Sequence, residues 1–168
     1  IMEMLTEASV EYVKNQVKSG IDCFQLFETY SGIISNEDYK NFILPLSTKI
    51  LLEARESGVP TIFFPKNFNE GLKYINKEIC DYVSVDYDIS LDNARNLLDS
   101  EVGIQGNMDP KIFYQEIDEI ENYLKSLIDF GSKNTDWIFN LGHGFRPDID
   151  HIKVKYVVEW IKNANWKR

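Results

Sequence analysis

The hydrophobic positions of this chain fall into two rhythms that alternate from one end to the other. Residues 3–19 place Val10, Val13 and Val17 on one helical face, and Gly20 stops the pattern. Asp22 to Phe27 (D-C-F-Q-L-F) then reads as a strand, followed by the loop E-T-Y-S-G-I-I. Ser35 caps a long helix predicted over about 36–57, with Phe42, Leu46, Ile50 and Ala54 at four-residue spacing. Pro45 falls inside it and should kink it, because proline lacks a backbone donor and crowds the preceding turn. Gly58 closes that helix, and Pro60 to Phe64 (P-T-I-F-F) is the second strand. A helix near 69–79 follows, then a strand at Tyr82–Val85 ending in Asp86 and a helix near 90–99. Val102–Gln105 reads as the fourth strand, running into Gly106-Asn107-Met108-Asp109-Pro110. Pro110 opens a helix to about 129 that turns Ile117, Ile120, Leu124 and Leu127 inward. The fifth strand begins Trp137, Ile138, Phe139, and the last helix, about 151–163, presents Val154, Val158 and Ile161.

Strands that are apolar throughout, each followed by a helix, predict an α/β fold with a parallel sheet buried on both faces. Doubly wound sheets and (β/α)8 barrels both satisfy that pattern. No G-x-G-x-x-G follows the first strand and no G-x-x-x-x-G-K-[ST] occurs, which removes the main support for Rossmann or P-loop nucleotide binding. A polar residue recurs instead just after each strand: Glu28 and Thr29, Lys66 and Asn67, Asp86, Asn107, then His143. In a barrel those positions converge on the C-terminal mouth, where active sites sit. Five strands make an incomplete barrel, so the expected fold is a partial (β/α)8 TIM barrel forming a single domain over residues 1–168.

Composition narrows the partners. A net charge of -9 argues against a nucleic-acid or anionic-membrane surface. No apolar run approaches a membrane span and no signal-peptide pattern occurs. Cys23 and Cys80 stand apart, without CxxC or Cys/His ligand spacing, so neither a disulfide framework nor a metal site is expected. Both read as small apolar residues in or near buried segments, in a reduced, cytoplasmic protein.

Candidate chemistry gathers at W-I-F-N-L-G-H-G-F-R, residues 137–146. Glycines on both sides of His143 let the backbone turn sharply past a strand end with the imidazole presented rather than packed. The competing reading is a flexible turn. His151 reads as a surface residue, and the acidic run Gln115 to Glu121 as a solvated helix face.

L-F-E-T-Y-S-G, F-F-P-K-N, V-S-V-D, G-I-Q-G-N-M-D-P and F-N-L-G-H-G-F-R-P-D, in this order, resemble the C-terminal part of uroporphyrinogen decarboxylase. The resemblance runs from Gly20 to the last helix, and Q-G-N-x-D-P followed by N-L-G-H-G is its most specific part. It implies a homodimeric (β/α)8 barrel that uses no cofactor. The family removes the four acetate carboxyls of uroporphyrinogen III, giving coproporphyrinogen III in haem biosynthesis. The family's arginine-containing motif, pyrrole-binding aspartate and substrate-binding tyrosine belong to preceding strands. The expectation is therefore no catalytic residue in this chain, which opens on Ile1 and reads as a C-terminal piece inactive by itself.

Two substrate-binding positions carry over: the Ser/Thr of the F-[ED]-[ST] loop falls on Thr29, and the histidine of N-L-G-H-G on His143. Thr29 would donate to a substrate carboxylate or else cap its own loop. Arg146 stands where an apolar residue is more usual, and is either an additional carboxylate contact or a solvated loop arginine. Lys66 suits long-range attraction of an anionic substrate, or is a solvated rim lysine. Asp86 and Asn107 are functional candidates that equally suit structural polar networks. An octa-anionic substrate fits poorly with a chain of charge -9, so attraction must be local. Two other readings stay open. One is a non-catalytic barrel fragment whose open strand edges invite self-association. The other is a cobalamin-dependent methyltransferase-like paralogue. Such paralogues carry a zinc-binding H-x-C after the strand that here reads T-I-F-F-P-K-N, and a further cysteine near the C-terminus. Neither is present.

Overall fold

Five strands follow one another in the sheet in the same order as in the chain: β1 (Phe24–Glu28), β2 (Thr61–Pro65), β3 (Tyr82–Ser84), β4 (Gly103–Met108) and β5 (Trp137–Leu141). The structure is a computed structural model that describes residues 1–166. All four pairings are parallel, with Phe27 opposite Phe64, Ser84 opposite Gln105, and Gln105 opposite Ile138. A doubly wound sheet would reverse its strand order at a switch point. This sheet does not, and right-handed crossovers that all step the same way place the helices on one face.

The other face is concave. Gln105 Nε2 on β4 donates to Gln25 Oε1 on β1, 3.3 Å away. On a flat sheet those strands would lie roughly 14 Å apart, three spacings of about 4.8 Å, with side chains standing perpendicular to it. The sheet must therefore curl for the two amides to meet, as in a barrel wall.

Packing follows from the same alternation. Phe63, Val83 and Ile104 project to the helical side and are fully buried, together with Leu51, Ala54, Leu72, Ile120 and Leu124. β2 and β4 are buried along their whole length, whereas the border strands β1 and β5 are partly exposed. The expectation of strands buried on both faces holds at the centre of the sheet and lapses at its borders.

The helices start and stop largely where the pattern places them. α1 (Met2–Lys18) ends at Gly20, whose φ of 82° is a left-handed cap, and Gly58 plays the same role at φ 81°. The predicted 36–57 helix is composite. Ser35 accepts a hydrogen bond from Asp38 N–H at the head of α2 (Asn36–Asp38), a wide π-turn spans Tyr39–Ile43, and α3 (Leu44–Glu56) follows. Leu44 N–H donates to Tyr39 O, five residues back. Pro45 has no N–H to give, so the distortion appears as a widened turn just before it.

Three expectations need correction. The helix near 69–79 is only a 3-10 segment, Asn69–Tyr74, held by i→i+3 bonds such as Gly71 N–H to Phe68 O at 2.9 Å. Gly71 lies against the Phe68 ring, where a Cβ would come within 2.1 Å, so the turn stays tight against the core. The helix opened by Pro110 is three pieces: a 3-10 segment Pro110–Tyr114, α5 (Ile117–Ser126) and α6 (Ile128–Lys133). Gln115 and Glu116 are extended, and Glu116 N–H donates to Glu119 Oε2 at 3.2 Å, a capping-box contact that opens a new helix. The fourth strand does not stop at Gln105 but continues to Met108, which puts Asn107 inside the strand. α4 (Leu91–Leu97) and α7 (His151–Asn163) match their expected ranges closely. Cys80 is buried as expected, and burial pushes its thiol up to about 12, but Cys23 is exposed.

Candidate functional site

The concave face and the C-terminal strand ends enclose a cleft of about 330 Å³. Its floor is Gln25, Phe27, Phe64 and Ser84, and its rim is Thr29, Lys66 and the segment Asn140–Gly144 that carries His143. Thr29, Lys66 and His143, placed by sequence after three different strands, are thus brought together. Lys66 Nζ lies 3.4 Å from His143 Nε2. An ammonium only donates, so a hydrogen bond between the two requires the ring tautomer in which Nε2 accepts. The lining residues include no aspartate or glutamate, although the chain as a whole is strongly acidic. The charge that enters the cleft is positive.

Two rim residues, Lys66 and Gly142, are held by backbone hydrogen bonds. Gly142 N–H donates to Met108 O at 2.9 Å, extending the β4–β5 ladder one step beyond the strand. Gly142 also rests on the Asp86–Tyr87 backbone, where a Cβ would come within 2.4 Å of Tyr87 N. Close approach, rather than a left-handed φ, is what requires glycine there. Gly144 has open space around its missing Cβ, so the expected sharp turn around His143 is not of the left-handed kind.

Behind the rim, Asp86 is 2% exposed and accepts from Asn67 N–H at 2.7 Å and Asp88 N–H at 3.0 Å. Its carboxylate ties the loops after β2 and β3 together and does not line the cleft. Asn107, 8% exposed, donates through Nδ2 to the carbonyls of Asp86 and Ile89. Both residues hold loops. Arg146 is also outside the cleft lining; it is exposed, with Nε 3.8 Å from Asp148 Oδ1. His151 is solvent-exposed at the start of α7.

Sequence reasoning missed the floor and one clamp. Gln25, Ser84 and Gln105 are polar residues within otherwise apolar strands, and that interruption is the signal of a residue turned toward a barrel interior. Ser31, 1% exposed, directs its hydroxyl at Glu28 O and at Lys66 O. Nothing in E-T-Y-S-G separates it from an ordinary loop serine.

The uroporphyrinogen decarboxylase (URO-D) family profile matches residues 1–164. The chain belongs to this family. The uroporphyrinogen decarboxylase of Geobacter sulfurreducens is 30% identical over 167 residues, covering 99% of this chain and 49% of its own length. That of Geotalea daltonii is 34% identical over 161 residues, covering 96% and 47%. The chain spans about half the length of the curated relatives it matches. A methyltransferase structure from Methanosarcina mazei shares the fold, with a TM-score of 0.77 over 92% of this chain and 45% of its own, at 20% identity. The cleft gathers Thr29, Lys66 and His143 within the residues that the family profile matches.

Proposed function

We propose that this chain supplies the C-terminal share of a uroporphyrinogen decarboxylase barrel, in which Thr29 and His143 position substrate carboxylates. The observation that carries the reading is a cleft rim of hydroxyl, ammonium and imidazole without a single acid, in a chain of net charge -9. A polyanionic tetrapyrrole needs such a local exception.

The chemistry suits these residue types. Protonation of a pyrrole carbon next to the acetate-bearing carbon makes the ring an electron sink. The pair from the C–CO2 bond flows into the ring, carbon dioxide leaves, and the exocyclic methylene takes up a proton to become methyl. Loss of the ring proton restores the pyrrole, so each cycle consumes one proton and releases one carbon dioxide. The ring itself provides the sink, and the protein's part is preorganised electrostatics. Thr29 and His143 hold and orient carboxylates. The pyrrole-binding carboxylate and further arginines come from outside these residues, so this chain alone is expected to be inactive. A homodimer and a cytoplasmic location belong to the same proposal.

The test is anaerobic conversion of uroporphyrinogen III by this chain beside the intact gene product, with products separated by carboxyl number. Conversion by the intact protein alone is the expected result. Conversion by neither overturns the assignment.

A further inference from the structure

We propose that Lys66 is a direct ligand of a substrate carboxylate, acting with His143 as a two-nitrogen receptor, rather than a rim lysine that attracts from a distance. The inference rests on the decarboxylase reading above and assigns a contact within its cleft.

The first support is the way the residue is held. A lysine that serves only solubility needs no particular backbone. Here the peptide on each side of Lys66 is fixed: its N–H donates to Glu28 O at 3.0 Å, its carbonyl accepts from Ser31 Oγ, and the next N–H, of Asn67, is bound by buried Asp86. Asn67 takes a left-handed φ of 57°, uncommon for a residue with a Cβ. Gly32 closes on it so tightly that a Cβ there would come within 2.4 Å of Asn67 Cβ. Three segments, 28–32, 66–67 and 86, thus converge to aim one side chain.

The second support is the target. Lys66 Nζ and His143 Nε2, 3.4 Å apart, are close enough for the two oxygens of one carboxylate to engage both. An entering anion takes an N–H from each nitrogen, the imidazole turning to the form that carries hydrogen on Nε2. Glu28, the nearest acid in sequence to Thr29, is engaged by Tyr30 N–H at 3.1 Å and does not line the cleft.

Uroporphyrin, the stable oxidised octacarboxylate, serves as probe, with tetracarboxylate coproporphyrin for comparison. Both are titrated into the intact gene product and its variants at low and at high salt. Lys66→Met is expected to weaken uroporphyrin binding about tenfold and to flatten its salt dependence, while Lys66→Arg retains most of both. Lys66→Met with His143→Asn should lose less than the product of the single effects, because both nitrogens serve one carboxylate. A lysine with a purely structural role would leave the salt slope unchanged. An unaltered dissociation constant and salt slope in Lys66→Met overturn the proposal, as does a fully multiplicative double variant. If the unsubstituted intact gene product binds neither porphyrin, the decarboxylase reading falls and takes this inference with it. If it binds uroporphyrin regardless of Lys66, only the inference falls.

Discussion

At the scale of single residues, Asp86 shows how a candidate for chemistry becomes part of the frame. Its two carboxylate oxygens satisfy two backbone N–H groups in a nearly sealed pocket. Asp86→Ala strands both, at a cost of about 2–4 kcal/mol, measurable as a lower midpoint in urea unfolding. Arg146→Ala, by contrast, should change porphyrin affinity by less than about twofold, since that guanidinium faces Asp148 rather than the cleft. At the opposite end of the sheet, Asp81 receives Lys77 and the Thr61 N–H and hydroxyl. Burial alone would raise its pKa; those partners outweigh it, and the net shift is downward. A carboxylate lowered by folding stabilises the protein above its unfolded value, about 3.9, and that contribution is lost as pH falls through the lower folded value. Thermal melts should therefore weaken below about pH 4, and Asp81→Asn should remove part of that slope. Polar residues after strands were legible as a class, and Thr29, Lys66 and His143 line one cleft. Asp86 carries the identical signal, because residue type and position do not reveal whether a carboxylate meets solvent or a neighbouring loop's N–H groups.

At the scale of elements, the two glycines flanking His143 part company. Gly142→Ala drives a Cβ into the Asp86–Tyr87 backbone and should cost about 1–3 kcal/mol and displace the histidine, read as loss of both melting temperature and porphyrin affinity. Gly144→Ala meets open space and should leave both measurements nearly unchanged. The long helices were readable because their apolar spacing and end signals agree. Segments 69–79 and 110–129 were read too simply. Gly71 against Phe68, and the Glu116–Glu119 pair that restarts the chain as α5, act through packing and side-chain caps that a periodicity scan averages away. β4 extends past Gln105 because Gly106, Asn107 and Met108 pair with Phe139, Asn140 and Leu141 of β5, a partner set by tertiary neighbours rather than by local preference.

At the scale of the whole molecule, alternation and apolar strands told of a parallel sheet, polar residues after each strand pointed to a partial barrel, and the strand order agrees with it. That order is a property of pairing, absent from any single segment. Among the described residues, the outer edges of β1 and β5 have no strand partner, and Phe27 and Ile138 on those strands are exposed. Sedimentation velocity of this chain should show association that grows with concentration, and placing charge on both borders with Phe27→Lys and Ile138→Lys should suppress it. The one-way winding has a further consequence. Within the sheet each strand pairs only with the strand before and the strand after, so the wall can be lengthened or shortened by whole steps, like a spiral stair. Such a stair loses a tread at either end without splitting its middle. An ancestral protein built this way could gain, shed or exchange units at its borders while the central steps kept their footing.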